Sequence, residues 1–145
     1  LLLAVAEDLS NYYTEHWNRA AHDPGLPAAD RLKGIIKVDL SPDILNERDV
    51  AIWFAFRSEV CSNPEYRQYI DSRNANFHGT IMDICQALID EGQYPGSDAS
   101  LAADALIALF EGMWTDFHLH SAEFDRGRAE QACLYVAKSF FPDHF

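Results

Sequence analysis

"ADALIALFEGMWTDFHLH", residues 103–120, reads as helix although Gly112 stands in its middle. A mid-helix glycine costs about 1 kcal/mol against alanine, so its position needs a reason. At about 100° per residue, the helix divides into faces. Asp104, Glu111, Thr115 and His118 share one narrow polar stripe. Beside it runs a strip of mostly small residues: Leu101, Ala105, Ala108, Gly112 and Leu119. Roughly opposite stand Ala103, Ile107, Phe110, Trp114 and Phe117. Most of this helix must therefore be covered. The bulky strip fills a core or lines a cavity, and the small strip lets another backbone come close.

Helical periodicity extends outward over the whole chain, with no hairpin dipeptides and no alternating runs. A first helix is expected over 1–21, with Leu2, Val5, Leu9, Tyr12, Tyr13, His16 and Ala20 on one side, ended by "HDPGLP". A short one follows at 28–39 and carries Leu32, Ile35 and Ile36. A third is expected over 44–61. Asn63-Pro64, a cap followed by proline at the first helical position, starts a long fourth helix over 64–91. Its face is Tyr66, Ile70, Phe77, Ile81, Ile84, Cys85 and Leu88. The fifth covers 98–119, the sixth 126–140, and Pro142 stops the chain of helices. The expectation is an all-α, six-helix single domain.

The bulk numbers exclude several functions. At 145 residues, with 48% hydrophobic and 12% aromatic residues, the chain can bury a real core. Eleven Lys and Arg against 23 Asp and Glu give a formal charge of -12. Such a surface repels phosphate backbones and suits cationic or neutral ligands. Three scattered cysteines, Cys61, Cys85 and Cys133, suit a reducing cytosol rather than a disulfide framework. No apolar run is long enough to span a bilayer. His118 and His120 diverge on a helix, His16 and His22 are misaligned, and no metalloprotease, nucleophile-elbow or phosphate-loop motif occurs. Catalysis, a metal and a cofactor are therefore not expected.

Three segments carry a family resemblance. "AIWFAFRSEVCSNPEYRQYIDSR" (51–73) resembles the aromatic helix and the Pro-Tyr segment of BetI-like, choline-responsive regulators. "ADALIALFEGMWTDFHLH" resembles the alanine-leucine-acid-glycine-tryptophan helix of that branch. "DRGRAEQACLYVAKSFFP" (125–142) is similar to its closing dimerisation helix. The chain thus resembles the C-terminal regulatory domain of TetR-family repressors. "LLLAVAEDLSNYY" looks like the helix connecting to a preceding helix-turn-helix domain, which is not in this sequence.

The resemblance implies a cytoplasmic homodimer that senses a small-molecule effector and touches DNA only through that other domain. It implies that Trp17, Trp53 and Trp114 surround a regulatory cavity, shared by Tyr13, Phe56, Phe77, Phe110 and Phe117. An aromatic cavity near Glu111, Asp116 or Glu59 would suit a quaternary ammonium. Asp116 lies beside Leu109 and Met113, away from the polar stripe, so it needs a partner such as Arg57 or Arg73, or a wet cavity. Glu111 is expected to be solvated or at the subunit boundary. The dimer seam is expected as a four-helix bundle of the last two helices, through Ala105, Ala108, Gly112, Leu119, Ala129, Cys133, Val136 and Phe140. Two alternatives stay open: a stand-alone helical interaction module without a ligand, whose small faces pack inside one monomer, and a small helical enzyme.

Overall fold

A computed structural model describes residues 1–71 and 74–145. Among them the regular structure is helical: α1 (Leu2–Ala21), α2 (Ala28–Asp39), α3 (Glu47–Glu59), α4 (Arg67–Ile70), α5 (Ala75–Gly92), α6 (Ala99–Leu119) and α7 (Arg126–Phe140). A 3-10 turn, Pro64–Tyr66, leads into α4. Four helices start on a side chain that accepts a first-turn amide: Asn46 for α3, Asn74 for α5, Asp98 for α6 and Asp125 for α7. Each such cap stabilises its helix by about 1 kcal/mol.

The centre of the molecule is α2, which packs on α1, α5 and α7. Leu32, Ile35 and Ile36 are completely covered, and burying each stabilises the fold by roughly 1.5–3 kcal/mol. Gly34 lets α1 come close: a Cβ there would stand 3.3 Å from Ala20 Cβ. On the other side α5 and α6 pack along each other, with Ile81, Ile84 and Leu88 facing Leu106 and Phe110 within one core. A smaller apolar cluster of Ala6, Phe56, Tyr66 and Ile70 ties the start of α1 to α3 and α4.

Three expectations change. The long fourth helix is broken into the 3-10 turn, α4 and α5. Its apolar face survives the break, because Tyr66, Ile70, Phe77, Ile81, Ile84, Cys85 and Leu88 are all buried. Asn74 ends the interruption by turning its side chain to Phe77 N, at 2.9 Å, so a fresh helix begins there. The buried side of α1 is also rotated from the one expected. Ala6, Trp17 and Ala21 are covered and Tyr13 half-covered, while Leu2, Val5 and Tyr12 are exposed. Trp17, the bulkiest side chain on α1, claims the core.

The third change concerns α7. Ala129 and Cys133 were expected on an outward seam, but they lie at 6% and 0% exposure inside the chain's own core. They are on the face of α7 that meets α2 and α6. Val136 and Phe140 are half-buried and lean on the same core. On α6 the small strip is open instead: Leu101, Ala105, Ala108, Gly112 and Leu119 are all exposed, and a Cβ on Gly112 would meet nothing within 4 Å.

Candidate binding cavity

α1, α3, α4, α5 and α6 line a half-open cavity of about 70 Å³. At roughly 10–15 Å³ per water-sized centre, it has room for a ligand of only a few heavy atoms. Its walls are aromatic: Tyr13 and Trp17 from α1, Trp53 from α3, Phe77 from α5, Phe110 and Trp114 from α6. The helical period explains the grouping. Tyr13 and Trp17 stand one turn apart on α1, and Phe110 and Trp114 one turn apart on α6.

The rings touch one another. Tyr13, Trp53 and Trp114 have centroids 6.0, 5.6 and 5.8 Å apart in the three pairings. Trp17 lies 4.8 Å from Phe77. Rings this close leave no space for a guest between them, so a ligand meets them as a continuous wall.

Asp39, the last residue of α2, also lines the cavity. Only 1% of it is exposed. Tyr13 donates its hydroxyl to Oδ1 at 2.8 Å, and Trp114 donates Nε1 to Oδ2 at 3.0 Å. Both donors are neutral. Burial pushes the Asp39 carboxyl up to about 6, although the two hydrogen bonds pull the other way. Burial, the Asp39 charge and the shared hydrogen bond hold the Tyr13 hydroxyl protonated well above its ordinary range.

The rim is polar. Arg57 donates to Glu111 at 3.3 Å across α3 and α6, with Asn74 and Asn76 nearby. Arg57 also stands 5.5 Å over Phe54, whose other neighbour is the stacked ring of His118, 4.4 Å away. Outside the Trp53–Trp114 contact, α3 and α6 thus meet through polar and stacking groups near the surface. Trp17 Nε1, at the inner end, has no acceptor among the described residues.

Of the residues expected there, Tyr13, Trp17, Trp53, Phe77, Phe110 and Trp114 meet at this cavity. Three do not. Phe56 stacks edge-on to Tyr66, 4.9 Å away, in the small cluster whose Ile70, and not Phe56, reaches the cavity. Phe117 turns toward α7, against Phe124 and under the Arg126 guanidinium. Asp116 is exposed, about 200° round the helix from Trp114, on the side away from the cavity. Arg57 pairs with Glu111 rather than Asp116, and Arg73 lies outside the described residues. Glu111, expected at the surface, reaches the rim. Glu59 is exposed and accepts from Asn63 at 3.3 Å.

Asp39 itself was not anticipated. Its signal was present: with Leu32, Ile35 and Ile36 it completes the i, i+3, i+4, i+7 face of α2. An acid on a buried face, at the helix end where the macrodipole is already negative, is unfavourable twice over. Buried Cys85 and Cys133, pushed up to about 12 by burial, are inert thiols rather than nucleophiles. Among the described residues, no group of three or more His, Cys, Asp or Glu is placed to hold a metal. No described helix is long and apolar enough to cross a membrane.

Residues 27–142 match the family of BetI-type transcriptional repressors, C-terminal domain. The chain belongs to this family. It is a TetR-type regulatory domain of a transcriptional regulator. Two solved structures share its fold. One is a protein assigned as a transcriptional regulator from Pseudomonas aeruginosa PAO1, with TM-score 0.77 and 24% identity over 99% of this chain and 67% of that one. The other is assigned to the TetR family, from Rhodococcus sp., with TM-score 0.71 and 17% identity over 97% of this chain and 73% of that one. No curated protein matches the chain.

Proposed function

We propose that the domain senses a small cationic effector in the aromatic cavity and works as a homodimer whose effector state sets DNA binding by a separate domain. Asp39 carries this reading. A buried carboxylate bonded, among the described residues, by neutral Tyr13 and Trp114 has no charge to balance it there, and a cation beside it supplies the attraction. The aromatic wall adds cation–π attraction, strongest for tryptophan. The small volume favours a compact head such as trimethylammonium over a large drug-like ligand.

The homodimer is supported by the small strip of α6, which the described residues leave uncovered. A partner approaching there gives the glycine a use, since its missing Cβ permits close backbone approach. In such a dimer the effector acts only by binding one arrangement of the two subunits better than another.

Choline, betaine aldehyde, glycine betaine and tetramethylammonium should quench or enhance tryptophan fluorescence saturably and raise the melting temperature. If none of the four does either, the cationic-effector reading fails and the fold stands.

A further inference from the structure

The acid lining the cavity is joined to the outer helix pair by a small polar clasp. Asp39 ends α2 and Leu40 caps it. Arg126, the first residue of α7, donates Nη1 to Leu40 O at 2.6 Å and Nη2 to Leu45 O at 2.5 Å. Its guanidinium lies 5.2 Å from the Phe117 ring centroid, on α6. Ser121, in the α6–α7 loop, donates to Glu47 Oε1 at 2.8 Å, at the start of α3. The α6–α7 loop and the first residue of α7 therefore grip the corner between α2 and α3 at three points.

The grip is strong for physical reasons. A guanidinium is a rigid planar fork, and hydrogen bonds from it are charge-assisted. Leu40 O belongs to the carbonyl end of α2, where the helix dipole attracts a cation. The same corner is held from the cavity side by Tyr13 and Trp114 through the Asp39 carboxylate. One short segment, residues 39–45, is thus fastened to α1 and α6 by a side chain and to α7 by main-chain carbonyls.

We propose that Arg126 couples the state of Asp39 to the placement of α7. The inference rests on the reading of the cavity as the effector site. A cation that engages Asp39 changes the balance of its bonds to Tyr13 and Trp114. Leu40 is the next residue, so its carbonyl turns with that change. The forked guanidinium holds Leu40 and Leu45 together and passes the displacement to the first turn of α7. α7 lies beside α6, whose open strip is the proposed subunit contact. The partners of Arg126, Leu40, Leu45 and Phe117, do not line the cavity, so its role is positioning.

Amide hydrogen exchange along α7 of the whole chain tests this without a ligand, using Asp39→Asn as the change in the cavity. In the wild-type background Asp39→Asn should alter exchange at residues 129–137 by about fivefold or more, the lower end of ordinary coupling between sites. In the Arg126→Gln background the same change should have little effect there. Arg126→Lys, which keeps the charge but loses the fork, should give an intermediate response, and it carries the comparison if Arg126→Gln does not fold. Trp114→Phe, which removes one donor to Asp39, should repeat the pattern. Equal responses with and without Arg126, or none in either, overturn the proposal. A choline titration of the wild type separates the two readings: absence of binding removes the effector, while the exchange result still decides the coupling.

Discussion

Trp114 Nε1 donates to Asp39 Oδ2 at 3.0 Å, joining the middle of α6 to the last residue of α2 across the core. The bond turns a core tryptophan into a reporter of the acid's charge. Since burial pushes Asp39 up to about 6, the carboxylate is ionised at neutral pH and neutral in mild acid. A quaternary ammonium keeps its charge at every pH, so any pH dependence of its binding comes from the protein. Choline affinity should be level above about pH 6 and fall about tenfold per unit below it. Asp39→Asn should bind weakly with no such profile. Fluorescence titrations from pH 4.5 to 8 would show it; a level profile in the wild type excludes Asp39 as the counter-charge.

The same group makes stability depend on pH in an unusual direction for an acid. In the folded chain Asp39 titrates at about 6, against 3.8 for the free side chain. Between those values the folded chain holds the proton and the unfolded chain has lost it. The contribution is therefore fully present below about pH 4 and lost as pH rises through about 6. The difference corresponds to about 3 kcal/mol. Urea unfolding at pH 4, 5, 6 and 7 should show the wild type losing stability relative to Asp39→Asn across this window. A constant difference between the two proteins would mean that Asp39 titrates normally.

Much of this architecture is legible in residue spacing. The span 28–39 reproduces α2 because its signals are local: an apolar 32–35–36 face and proline at its entry. The buried face of residues 66–88 is equally legible, yet its interruption is not. Period counts side chains, whereas the break depends on Asn74 taking Phe77 N for a new cap. The aromatic walls were traceable because cavity and core demand the same residue types. That sameness also explains the misplacement of Phe56 and Phe117, which are as apolar as Trp53 but face other neighbours. On α7 small residues serve inward packing, and only the fold shows which side of a helix is already covered. Asp39 was hidden for the opposite reason: its partners Tyr13 and Trp114 are 26 and 75 residues away in sequence.

The two aromatic groups should separate cleanly under mutation. Phe56→Ala empties part of the small α1–α3–α4 cluster and should cost about 3–5 kcal/mol. Choline affinity of the folded fraction should be unchanged. Trp53→Ala removes a half-buried cavity wall and should weaken choline by roughly 3- to 30-fold, the range of one cation–π contact. Calorimetry for binding and urea unfolding for stability give both values. If Phe56→Ala weakens binding as much as Trp53→Ala, the ligand site extends past Ile70 to Phe56.

Gly112 offers a test in which size alone separates monomer from dimer. Within the protomer a Cβ there meets nothing, so Gly112→Ala should stabilise an isolated subunit by about 1 kcal/mol through helix propensity. A leucine also fits the open space of one protomer, and circular dichroism should show an unchanged helix content. Against a partner subunit the same leucine meets backbone. Gly112→Leu should therefore sediment as a folded monomer at micromolar concentration while the wild type sediments as a dimer. Trp114→Ala, on the opposite side of α6, should keep the dimer and lose the link to Asp39. A dimeric Gly112→Leu would move the subunit contact away from the small strip of α6, and the glycine would need another explanation.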